Sequence, residues 1–236
     1  ALPISAGNIS LSTHYVITFV ESIDTITMYL NGNALGTPSL SLAGYKGRIM
    51  DTLNLGGWTD DGSRTMDAVF SEFQLYDTNL PTSTRQSIEN YLMYKWGISG
   101  TAAGYPVNIT NSPYLSDINS FPRNLLGWYD PSDSSTVTTG TGGTVLTVLD
   151  KSGNGNHATN VNTAASTVIS QTPINGLNTL NYGSGGSNQQ YMYAPMGYVG
   201  SYTAFVIFNM TSLIGTYCMF TSYGGWTQNA SVNIGY

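Results

Sequence analysis

Hydrophobic and polar positions alternate with a period of two over much of the first third of the chain, the pattern of strands buried on one face. Residues 14–20 (HYVITFV) are mostly β-branched and aromatic, side chains that pack well on a pleated surface. Residues 25–30 (TITMYL) alternate strictly, with Ile26, Met28 and Leu30 on one face and Thr25, Thr27 and Tyr29 on the other. Asn31-Gly32 follows at once, and because both residues tolerate positive φ the pair predicts a tight hairpin turn. A further strand is predicted over 69–76, with Phe73 and Leu75 inward and Glu72 and Gln74 outward.

The period then changes. Ile88, Tyr91, Leu92 and Lys95/Trp96 share a face at helical spacing, which predicts one short helix over about 83–96. Ser83 is expected to cap its first turn with Gln86 reaching back, and Gly97 stands where a left-handed C-terminal cap belongs. This helix is expected to close the unit against an edge or end of the sheets. Residues 99–124 carry Gly100, Gly104, Pro106, Pro113 and Pro122 among Ser, Thr and Asn, and read as a linker or surface loop. Strand character returns at 145–149, 202–210 and 217–223, with a tight turn at Gly153-Asn154-Gly155-Asn156. Many short strands separated by turn residues, with one helix, predict a mostly-β sandwich.

Composition narrows the field. The 236 residues suit one sandwich domain of ordinary size or two small ones. Only 13 acidic and 7 basic residues make up the charge, 8% of the chain against roughly 25% for an average soluble domain. Disorder does not explain this, because 41% of the chain is hydrophobic and 12% aromatic. Ser, Thr, Asn, Gly and 17 Tyr supply the polar surface instead. A net charge of −6 argues against a nucleic-acid partner, which requires clustered Lys and Arg. No apolar run approaches the roughly 18 residues of a membrane span, so membrane insertion is not expected. Cys218 is the sole cysteine, which excludes an internal disulfide and a Cys-rich zinc site. The chain opens at Ala1 without an initiator Met and closes at Tyr236 in strand-like sequence, as expected of a piece of a longer protein.

Three early segments, 14–35 (HYVITFVESIDTITMYLNGNAL), 53–58 (LNLGGW) and 69–98 (VFSEFQLYDTNLPTSTRQSIENYLMYKWGI), resemble the C-terminal half of a laminin G-like, concanavalin A-like jelly roll. Residues 127–159 (GWYDPSDSSTVTTGTGGTVLTVLDKSGNGNHAT), with Asn175-Gly176 and 202–210, resemble the N-terminal half of the same module. The resemblance implies a concanavalin A-like jelly-roll sandwich with its halves inverted: 1–98 as one half, 99–124 as a Gly/Pro/Ser linker, 125–236 as the other. Two arrangements account for the order. One is a window from a tandem array, spanning the end of one module and the start of the next. The other is a single circularly permuted sandwich, which close termini make tolerable. The array is the first expectation.

Candidate chemistry is sparse. Glycoside hydrolysis takes two carboxylates flanking the bond, and Glu21, Glu72 and Glu89 are isolated from one another in sequence. His14 and His157 read as hydrogen-bonding residues at strand ends, and Cys218 as a buried strand residue. Asp60 and Asp61 place oxygen ligands close together in one loop and are the first candidates for calcium, the only cofactor considered. Asp130 with Asp133, and Asp150 with Asn154 and Asn156, are weaker ones, since turns use the same side chains to bond their own backbone. For sugar recognition, Trp58 beside Asp60 and Asp61, with Tyr223 and Trp226, offer rings for stacking and groups for hydrogen bonds. Asn8, Asn108, Asn209 and Asn229 head glycosylation sequons.

The functional expectation is a non-catalytic structural or adhesive surface module. The resemblance extends to modules of large-virus and phage structural proteins, which implies a virion component. Its partners would be other structural proteins of the assembly or copies of itself, with glycans as a further partner, at a virion surface or outside a cell. A secreted or cell-surface carbohydrate-binding lectin is the alternative, and a glycoside hydrolase the less favoured one.

Overall fold

The computed structural model describes residues 2–4, 9–22, 25–35, 49–56, 67–98, 124–161, 170–182, 191–211, 216–224 and 228–235. In chain order the first part gives β1 (Leu2–Ile4), β2 (His14–Glu21), β3 (Ile26–Leu30), β4 (Asn33–Ala34), β5 (Ile49–Leu55), β6 (Ala68–Tyr76) and α1 (Thr82–Lys95). The second gives β7 (Leu125–Tyr129), β8 (Val137–Thr139), β9 (Val145–Val148), β10 (Ala158–Asn160), β11 (Ser170–Ile174) and β12 (Leu177–Tyr182). It ends with β13 (Met192–Val199), β14 (Thr203–Met210), β15 (Thr216–Gly224) and β16 (Gln228–Gly235). For β1, β15 and β16 the description is of the backbone alone.

The fold is mostly β, with two sheets stacked as a sandwich. The first runs β1-β16-β15-β5-β13-β10-β9-β8 and the second β11-β12-β6-β14-β2-β3-β4, with β7 also on β6. Among the described residues all strand pairs are antiparallel except the short β1/β16 contact. Strands from before and after 99–123 alternate in both sheets: β14 sits between β2 and β6, and β5 between β13 and β15. The expected 99–124 linker falls almost wholly outside the described residues, apart from Asn124, whose carbonyl accepts from the Asp77 amide.

Local chemistry explains several elements. Asn31 and Gly32 have φ of 47° and 78°, the two positive values a type I′ hairpin turn requires. The Asn31 carboxamide also accepts from the Val16 amide, tying the turn to β2. Asn175 and Gly176 make the same turn between β11 and β12.

The sandwich core lies between the sheets, where Ile17, Phe19, Phe70, Phe73, Val206 and Phe208 are fully buried. Each such side chain contributes about 1.5–3 kcal/mol relative to exposure. The outer face of the second sheet is buried too. Val16, Tyr76, Phe205 and Ile207 pack there against Ile88 and Leu92 of α1 and Trp96 at its C-cap, so the helix lies across a sheet face rather than at an edge.

Strand β6 presents Glu72 and Gln74 to that outer layer, and a bulge before them returns Phe70 to the core. Ile207 pairs with Glu72 and Phe208 with Phe70, which leaves Ser71 as the extra residue. A bulge resets the two-residue alternation, so Phe70 and Phe73 both face the core and Glu72 and Gln74 face α1. The outward direction expected for Glu72 and Gln74 holds, but outward means beneath the helix, and both are fully buried.

The two ends of α1 differ from each other in how far they follow expectation. Pro81 occupies the N-cap position and no side chain caps the first turn, so the expected Ser83/Gln86 capping box is absent. Pro at this point fixes φ for helix entry without needing a hydroxyl cap. At the C-terminus Gly97 has φ +64°, its amide donates to the Tyr94 carbonyl and the Ile98 amide to the Met93 carbonyl. That is the Schellman arrangement. Asn175, from the β11–β12 turn, donates to the Trp96 carbonyl and binds the helix end to the second part of the chain.

Candidate functional site

Charge is scarce in this chain, and much of it converges under α1. Glu72 on β6 receives four donors: the Lys95 ammonium (2.8 Å), the Trp96 indole (2.9 Å), the Trp128 indole (2.8 Å) and the Gln74 amide (3.0 Å). The Tyr76 hydroxyl donates in turn to the Gln74 carbonyl oxygen. A buried carboxylate costs several kcal/mol in lost hydration, and a cation plus saturated lone pairs is what offsets it.

Asp130 follows β7 directly and is 4% exposed at its side chain. Its Oδ2 lies 2.8 Å from Lys95 Nζ and 3.1 Å from Lys151 Nζ, and Oδ1 accepts from the Ser132 amide and hydroxyl. Burial pushes the Asp130 carboxyl up, but the two ammonium groups overcome this and hold it below the usual carboxylate range. For Lys95, burial favours the neutral amine, yet Glu72 and Asp130 together hold it protonated well above the ordinary lysine range. Lys151 stacks its ammonium 4.5 Å from the Trp128 ring centroid and reaches Asp133 at 3.0 Å. Tyr91, beside this cluster, is pushed up to about 12, first by burial and then by Glu72.

A second, smaller cluster lies nearer the other end of the helix. One Arg85 nitrogen contacts both Glu89 oxygens, at 2.6 and 2.7 Å, and the Thr18 hydroxyl donates to Glu89 at 2.7 Å. The Arg85 guanidinium lies 3.6 Å from the Tyr29 ring centroid. Thr18 and Tyr29 are cross-strand partners on β2 and β3, so one sheet face supplies both contacts. Here burial wins: the Glu89 carboxyl is raised despite Arg85.

The 150–157 turn is a clasp. The Asp150 carboxylate accepts from the amides of Trp128, Ser152 and Asn156 and from the Ser152 hydroxyl. Asn154 and Asn156 donate to the carbonyls of Leu125 and Leu126. The weaker calcium candidates therefore face protein donors: two ammonium groups at Asp130, amides and a hydroxyl at Asp150. Among the described residues no group of three or more His, Cys, Asp or Glu is placed to hold a metal ion. His157 accepts from the Asp150 amide, and burial lowers the His14 imidazole.

Of the residues singled out for binding, Trp58, Asp60, Asp61 and Trp226 lie outside the described residues, as do the sequon residues Asn8 and Asn108. Tyr223 lies on β15 opposite Asn229 on β16 and Thr52 on β5. Asn209 on β14 is 9% exposed, with its amide nitrogen 3.3 Å from His14 Nδ1. Addition of a glycan there requires that nitrogen to be free.

Nothing in the sequence analysis brings this cluster together: Glu72 stands there as an outward strand residue and an isolated acid, and Asp130 as a turn residue and weaker cation ligand. Its signal was the scarcity of charge itself. A Glu inside the apolar strand 69–76, a Lys beside the Trp of KWG, and an Asp beside the Trp of GWYD are each costly unless paired.

Compared with protein-family models, with curated proteins and with solved structures, the chain matches none of them.

Proposed function

We propose that the chain is a non-catalytic structural or adhesive module of concanavalin A-like jelly-roll type, built from laminin G-like halves and carried on the surface of a virion. The observation that carries this reading is the saturation of Glu72. Its carboxylate receives four protein donors and is fully buried, so the strand position that bears it fastens the helix to the sheet and offers no lone pair to a substrate. Glu89 is bound in the same manner to Arg85 and Thr18. Low charge and a surface of hydroxyls, amides and rings suit extended contact with neighbouring subunits or with glycans. Partners would be copies of this chain or other structural proteins of the same assembly, and the location a virion surface or the outside of a cell.

A glycan would be bound by Trp58, Asp60, Asp61, Tyr223 and Trp226, with calcium at Asp60 and Asp61. The test is a glycan array probed with the protein displayed multivalently, in calcium and again in chelator, because avidity makes one weak site detectable. Binding lost on alanine substitution of Trp58, Asp60, Asp61 and Trp226 supports adhesion through that site, and loss in chelator adds the cation. A blank array directs the reading to protein partners within the assembly. Glycoside hydrolysis abolished by Glu21→Gln would replace the whole reading with an enzyme.

A further inference from the structure

We propose that Lys95 and Asp130 become the two ends of an intramolecular amide cross-link, formed once by the folded chain itself with Glu72 as proton carrier. The juxtaposition is the ground for it. Lys95 Nζ lies 2.8 Å from Asp130 Oδ2 and 2.8 Å from Glu72 Oε2, which sets an amine, a carboxyl carbon and a second carboxylate at reacting distance. Side-chain exposure is 15% for Lys95, 4% for Asp130 and none for Glu72. Trp96 and Trp128 wall the site, and their indoles fix Glu72 so that it cannot turn away from the amine.

Those conditions answer the two obstacles to condensing an ammonium with a carboxylate. In water the reaction is opposed by dilution and by hydrolysis. Groups held in contact act at an effective molarity on the order of 10⁵–10⁸ M, and a buried site keeps water from the product.

The atoms balance without a co-reactant. One proton passes from the Lys95 ammonium to Asp130, giving a neutral amine and a neutral acid, an uphill exchange because the contacts at this site favour the ion pair. The nitrogen lone pair attacks Cγ of Asp130, the C–N bond forms, and the carbonyl electrons move to oxygen. Glu72 takes a second proton from nitrogen and delivers it to the Asp130 hydroxyl. The C–O bond then breaks, water leaves, the carbonyl reforms, and the third proton stays as the amide N–H. Glu72 ends as it began. Because Glu72 and Asp130 favour the protonated amine, the step is a slow maturation rather than a turnover. The cross-link would join α1 to the residue after β7, a tie that a chain with a single cysteine cannot make by disulfide.

The experiment is intact-mass measurement of the purified folded chain, held at neutral pH until the mass is constant, followed by proteolytic mapping. The expected result is a mass one water below that of the sequence and a branched peptide joining positions 95 and 130. Lys95→Arg, which keeps the charge but is no nucleophile, should return the mass to the sequence value. A wild-type mass equal to the sequence overturns the proposal. So does a water loss that persists in Lys95→Arg, as a succinimide at Asp61-Gly62 would give, and so does a branch that maps to Lys151.

Discussion

Near the N-terminal end of α1, Arg85 and Glu89 neutralise each other within one helical turn, and β2 and β3 add one hydroxyl and one ring face. At the C-terminal end, Lys95 meets Glu72 from β6 and Asp130 from beyond β7, and Lys151 and Asp133 extend the chain of charges. Both clusters are buried against the same sheet face, yet their carboxylates respond oppositely. Glu89, with one cation, is raised, because lost hydration outweighs a single ion pair. Asp130, between two ammonium groups and bonded to Ser132, is lowered. With burial alike, the second cation is what separates Asp130 from Glu89. The clusters also differ in reach: one stiffens a helix locally, the other joins parts of the chain separated by 99–123.

The largest effect that would test this contrast is Glu72→Ala. It leaves the indoles of Trp96 and Trp128 without their acceptor and Lys95 with Asp130 alone, and, with both chains free of a Lys95–Asp130 bond, should cost about 3–5 kcal/mol in urea unfolding at neutral pH. Arg85→Met should cost less, about 2 kcal/mol, because Glu89 can escape the loss of its cation by taking a proton. Equal losses in the two variants would break the comparison. Glu89→Gln sharpens it through pH. A carboxyl raised in the native state contributes stability that is present below its unfolded value and lost as pH rises through the native one. Unfolding midpoints followed from pH 3 to 7 should therefore show Glu89→Gln gaining on the wild type as pH rises. In a chain without the Lys95–Asp130 bond, Asp130→Asn should show the opposite trend, losing ground to the wild type with rising pH. The smallest effect is Asp133→Asn, at the partly exposed end of the network, where screening leaves about 0.5 kcal/mol or less.

Much of the strand pattern could be read in advance, because it rests on local chemistry. The alternation in 25–30, the positive-φ turn at Asn31-Gly32 and the Gly97 cap each follow from a few adjacent residues. The mostly-β fold and the helix did too. What stayed hidden depends on contacts distant in sequence. Nothing in 69–76 announces that Ser71 is a bulge, since a bulge is defined by the partner strand β14. Nothing near Glu72 shows that Trp128 will donate to it from 56 positions away. The Ser83 cap failed for a related reason: packing of Ile88, Leu92 and Trp96 on the sheet holds the helix without it, so Pro81 suffices at its start. The candidate binding residues Trp58, Asp60, Asp61 and Trp226 rest on residue type and loop composition, which carry no information about distance.

The placement of β14 between β2 and β6 has a consequence in time. During synthesis the first two partners are complete once Tyr76 has been made, but the strand that fills the space between them ends at Met210. At 5–20 residues per second that interval is on the order of 10 s. Throughout it, Ile17, Phe19, Phe70 and Phe73 belong to two strands whose facing edges have no neighbour, the situation in which edge-to-edge pairing with another nascent chain competes with folding. Folding of this chain is thus gated by its last quarter, and anything that shields the early strands while ribosomes finish should raise the yield of native protein more than any gain in final stability.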